Sequence, residues 1–132
     1  MRRARMCVTS RWRGSVTTMS VKTVRDALLS VIEKAYHYHE QTGCDLPYAI
    51  YGETGAPVVV SGDDAPTILA VRGEIYYYTD AEFDEKVDEI CDALTAAGVS
   101  WSLDAIGYTP EDGRISYQIH WEVPCGAGQI YR

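Results

Sequence analysis

At 132 residues the chain is sized for one domain, able to bury about two-thirds of the surface its unfolded form exposes. Its net charge of −7 is unevenly spread: Arg2, Arg3, Arg5, Arg11 and Arg13 lie in a stretch without acids, and taking those five charges from −7 leaves −12 on the rest. A body that acidic repels phosphate, which argues against sequence-specific or general binding to nucleic acid.

Residues 1–18, MRRARMCVTSRWRGSVTT, carry no hydrophobic period. They are expected to be a disordered basic extension rather than a binding arm, with Met19 as the natural start. A helix follows, capped by Ser20 or Thr23, with Val24, Ala27, Leu28, Val31, Ile32, Ala35 and Tyr36 on one stripe and an end near His39–Gly43. Strands are expected at Tyr48–Glu53, Val58–Val60 and Thr67–Val71, then a tight corner at Arg72-Gly73 and a tyrosine-rich strand over Glu74–Thr79. Thr79 or Asp80 caps a second helix, with Glu82 at capping-box spacing. Phe83, Val87, Ile90, Cys91, Leu94 and Ala97 form its apolar stripe, and Gly98 stops it.

Val99, Trp101, Leu103 and Ala105 alternate with polar residues in the next strand. A turn at Thr109-Pro110-Glu111-Asp112-Gly113 leads into the clearest alternation of all, Ile115, Tyr117, Ile119, Trp121 and Val123 against Arg114, Ser116, Gln118, His120 and Glu122. These last two strands make an antiparallel hairpin, Pro124 ends it, and residues 124–132 read as a tail. The expected order is α-β-β-β-β-α-β-β. That is α+β: a mostly antiparallel sheet with two amphipathic helices on one face, in a single domain over residues 19–123.

Chemistry is thinly represented. The three histidines are His37 and His39, set about 200° apart on the expected helix, and His120 on the polar face of a strand. His120 facing a carboxylate such as Asp104 is expected to be a cross-strand surface pair rather than an acid/base dyad. Glu82, Glu85 and Glu89 read as a solvated helical face. Cys7, Cys44, Cys91 and Cys125 are widely separated, with no paired metal-ligand spacing, and Cys91 fits the core. No catalytic residue, cofactor or metal is expected. Neither a membrane-length apolar run nor a secretory signal is present, which suits a soluble protein of a reducing cytoplasm. Ten tyrosines against one phenylalanine suit half-wet sheet faces or protein contacts.

The run Asp45-Leu46-Pro47-Tyr48-Ala49-Ile50-Tyr51-Gly52-Glu53 after a helix, then Gly73-Glu74-Ile75-Tyr76-Tyr77-Tyr78-Thr79-Asp80, an acidic helix and a closing Tyr/Trp hairpin, resembles the tail terminator proteins of long-tailed bacteriophages and prophages. These are also called tail completion or head–tail joining proteins, and the likeness spans about Val21 to Val123. The resemblance implies a ring, usually of six copies, that caps the head-proximal end of the tail tube and ends its polymerisation. It implies three partners: other copies of the chain, the tube protein, and a head connector or stopper. It places the protein in the virion neck, assembled in the bacterial host cytoplasm, with DNA passing through but no sequence read.

Contacts are expected at Tyr51, Glu53, Asp63, Asp64, Tyr76, Tyr78, Tyr108, Glu111 and Asp112, on loops and on the outward sheet face. The rival readings are a head-completion or stopper protein, and a cytoplasmic α+β domain that binds a small ligand or a protein beside the tyrosine strand.

Overall fold

The computed structural model describes residues 18–38, 45–60 and 67–132. Helix α1, Val21–Leu29, begins at a reciprocal cap: the Ser20 hydroxyl accepts from Lys22 N–H at 3.1 Å, and Thr23 reaches back to Ser20 N–H. Its buried residues, Val21, Val24, Ala27 and Leu28, keep the three–four spacing of a single stripe. The helix stops well before the expected His39–Gly43. Ser30 donates its hydroxyl to Ala27 O at 2.7 Å, the turn closes with Ile32 N–H on Leu28 O, and Ala35–His37 extends as strand β1. Ile32 remains buried, so the apolar spacing outlasts the helix by one turn, and this is why the sequence reads as a longer one.

Strand β2, Tyr48–Glu53, lies where expected, and β3 is the short Val58–Val59. The larger departure is β4, one twelve-residue strand from Ile68 to Thr79 with no corner at Arg72-Gly73. Gly73 sits mid-strand, opposite Glu53 on one side and Trp121 on the other. A Cβ there would run into the Gly52 carbonyl oxygen and the Trp121 indole. The glycine makes room for close approach of its neighbours, one of the meanings of glycine inside a strand.

Helix α2, Lys86–Ala96, starts later than the Thr79 capping box predicts, and Glu82 takes no part in a cap. Asp84 is the acceptor instead, bonded to Lys86 N–H at 3.0 Å and to the hydroxyls of Tyr77 and Thr79, both at 2.7 Å. Val87, Ile90 and Leu94 bury the stripe, and Gly98 (φ +84°) supplies the left-handed stop. Strands β5, Ser100–Thr109, and β6, Arg114–Gly126, form the expected hairpin, with Trp101 opposite Trp121. Pro124 does not end β6; it lies opposite Ala70, and its carbonyl accepts from Met19 N–H at 2.7 Å. The expected tail also returns to the body, where Ile130 O accepts from Val21 N–H at 2.8 Å.

The sheet runs β1-β2-β4-β6-β5, with β3 on the first half of β4. Among the described strand pairs only β1–β2 is parallel. The architecture is α+β with the expected element order, reached differently: one strand is gained at Ala35–His37 and two expected strands merge into β4. Both helices pack on one side, over Ala49, Tyr51, Val71, Ile75, Tyr77, Ile119, Trp121 and Val123. No helix among the described residues is long and apolar enough to cross a membrane.

Candidate assembly surface

The sheet face away from the helices carries an aromatic ladder. Pairing sets Tyr48 opposite Tyr78 and Ile50 opposite Tyr76. The rings of Tyr48 and Tyr78 lie 5.2 Å apart, those of Tyr76 and Tyr78 stack at 6.5 Å and 11°, and Tyr36 approaches Tyr48 at 6.4 Å. The Arg114 guanidinium sits 5.0 Å over the Tyr78 ring, a cation–π contact that holds one edge of the ladder. Strict alternation sends the middle tyrosine, Tyr77, to the opposite side, where it is fully buried and donates to Asp84. Burial alone would raise the Asp84 carboxyl, but the Tyr77, Thr79 and Lys86 donors and the Lys86 charge outweigh it and hold it below its ordinary value.

A second surface lies along the outer strand. Leu103, Ile106 and Tyr108 stand opposite Ile119, Tyr117 and Ile115, in the row that faces the helices. They are nevertheless 41, 62 and 64 % exposed, so neither helix covers this length of β5. Phe83, expected on the α2 stripe, is instead 92 % exposed in the left-handed backbone region (φ +54°). The three bonds to Asp84 pin the chain beside it and turn the phenylalanine outward. Backbone of this kind persists only where the surrounding structure over-determines it, here through the Asp84 bonds. Sequence reasoning missed this residue, and the signal was Asp84, a helix-start acceptor two residues before Lys86.

The expected contact residues do not form one patch. Tyr76 and Tyr78 lie on the helix-free face, whereas Tyr108 belongs to the opposite row, with Glu111 and Asp112 exposed at the hairpin tip. Tyr51 is a correction: it is 6 % exposed, within the core, stacked on His37 at 5.0 Å. Glu53 is engaged within the chain, meeting His37 Nε2 at 2.6 Å and accepting from the Tyr131 hydroxyl. Burial would raise the Glu53 carboxyl, but the Tyr131 and His37 bonds and the His37 charge hold it below its ordinary value. Asp63, Asp64, His39, Cys7 and Cys44 fall outside the described residues, as do residues 1–17 of the expected extension.

His120 lies within 4.8 Å of Asp104, on the neighbouring strand as expected; its register partners are Ser102 on β5 and Glu74 on β4, with Nδ1 3.2 Å from Glu74 Oε2. Burial pushes the Cys91 and Cys125 thiols up to about 11, helped by Asp88 and Asp92 beside the first and Glu53 near the second. Both are protonated and poorly nucleophilic at neutral pH. A groove of about 160 Å³ beside the tyrosine strand is lined by Tyr38, Ile50, Gly52, Thr54, Glu74 and Tyr76. No protein-family model matches the chain, and no curated protein matches it.

Proposed function

We propose that this chain is a structural protein of the bacteriophage neck. In this reading, copies of it form a ring, six-fold in the resembled family, on the head-proximal end of the tail tube, ending its growth and joining it to the head connector. The observation that carries the proposal is a pair of unlike surfaces on opposite sides of the sheet. The outer edge of β5 has no neighbouring strand among the described residues and carries the exposed Leu103, Ile106 and Tyr108. The tyrosine ladder lies on the other side of the sheet. A closed ring requires such heterologous contacts, in which one surface of a subunit meets a different surface of the next.

A bare strand edge and exposed apolar side chains are liabilities in a free monomer and assets in an assembly. The acidic charge supports the same reading, because DNA passing an acidic bore finds few cations to displace its counterions. The groove beside the tyrosine strand supports the small-ligand alternative less well: about 160 Å³ falls below the roughly 300–1,000 Å³ of small-molecule sites.

The test is capping. Purified chain added to polymerising tube protein of the same phage should yield tubes of limited length with a ring at one end in negative-stain images. Tubes of unrestricted length without end density would refute the proposal.

A further inference from the structure

We propose that Glu74, Asp104 and His120 form a site for one divalent transition-metal ion such as zinc, on the helix-free face of the sheet. The three residues come from adjacent strands β4, β5 and β6, and one ligand atom from each lies within 4.8 Å of the other two. Cross-strand register brings Glu74 directly beside His120. Asp104 arrives by a different device. The pairing of β5 with β6 slips between Leu103 and Ala105, so Asp104 is the extra residue of a bulge. Bulges re-aim side chains, and this one places a carboxylate beside the Glu74–His120 pair.

The donor set is one imidazole nitrogen and two carboxylate oxygens, ligand types that zinc accepts, and three protein ligands leave a fourth tetrahedral position to water or a partner atom. Metal–ligand bonds near 2.1 Å in a tetrahedron put ligand atoms about 3.4 Å apart. Binding would draw the three atoms in from at most 4.8 Å toward that separation, and Asp104 is the exposed member of the three. Each carboxylate is also oriented from outside the triad. Gln118 Nε2 donates to Glu74 Oε1 at 3.1 Å, and the Ser102 hydroxyl donates to Asp104 Oδ1 at 2.8 Å. Glu74 Oε2, beside His120 Nδ1, and Asp104 Oδ2 have no bond outside the triad among the described residues and face the proposed ion, and the outer-shell bonds to the other two oxygens are what preorganises a metal site. Among the described residues neither carboxylate pairs with lysine or arginine, so two negative charges face only a histidine. A dication supplies the missing charge.

The full chain, stripped with EDTA and dialysed, should bind one Zn²⁺ per molecule in a calorimetric titration with zinc chloride. His120→Ala and Asp104→Asn should each weaken that binding on the order of 100-fold, and Gln118→Ala about tenfold through lost orientation. His37→Ala, at the separate Glu53 cluster, should leave it unchanged, and circular dichroism verifies that each variant is folded. Absence of zinc binding by the wild-type chain, or wild-type affinity in both His120→Ala and Asp104→Asn, would overturn the proposal.

Discussion

Replacing Gly73 with alanine should be among the most damaging single-methyl changes available in this protein. The added Cβ would lie 2.6 Å from Trp121 Cε2, 0.8 Å short of the 3.4 Å at which ordinary contact begins, and the Gly52 carbonyl oxygen and Trp121 Cζ2 are closer still. Neither obstacle moves easily. Gly52 O belongs to the paired backbone of β2, and Trp121 is fully buried in the core. Overpacking of a filled site typically costs about 1–3 kcal/mol, and with two rigid neighbours the expected loss is about 3 kcal/mol or more. That corresponds to a fall in Tm of roughly 10 °C or more for a domain of this size.

Gly107→Ala is the matched control. Its Cβ would meet only the Ser116 hydroxyl, at 3.0 Å, the movable end of a small side chain, so its effect should stay within about 1 kcal/mol. Chemical unfolding followed by circular dichroism reads both. A Gly73→Ala protein within 0.5 kcal/mol of wild type, about the uncertainty of the method, would refute the packing of Trp121 against this strand.

Three further outcomes are expected. Asp84→Ala strips the acceptor from two buried hydroxyls and one helix N–H, and should cost about 2–4 kcal/mol in the same assay. Asp84 and Glu53 are both held below their ordinary values of 3.8 and 4.5, so their stabilisation is complete above those values and is lost as pH falls through the lower folded ones. Unfolding midpoints should therefore drop steeply below pH 4, and less steeply in Glu53→Gln; identical slopes would contradict the assignment. Phe83→Gly relieves left-handed backbone without uncovering any core, so it should raise stability by up to about 1 kcal/mol while impairing tube capping. A destabilised Phe83→Gly protein would show that the ring is packed rather than presented.

Much of the architecture is legible from local pattern. The alternation from Ile115 to Val123, the three–four spacing of Val87, Ile90 and Leu94, and the Gly98 stop each report a single element, and each was realised. What escaped depended on partners distant in sequence. Ala35–His37 becomes a strand because β2 offers a parallel edge, while its own spacing continues the helix stripe. Gly73 looks like a corner until Trp121, far along the chain, is placed against it.

The surface was harder to read than the core. Tyr51 and Tyr76 look equivalent in sequence, yet alternation buries one and presents the other. The Glu74–Asp104–His120 group needs two strand registers and a bulge, none of which local composition specifies.

The claim that this is a tail-ending neck protein is tested most directly by deleting its gene from the phage and imaging the lysate by electron microscopy. Overlong tails without heads, beside unjoined filled heads, are the predicted result. Tails of normal length beside heads that leak their DNA would contradict it and move the protein to the head side of the joint.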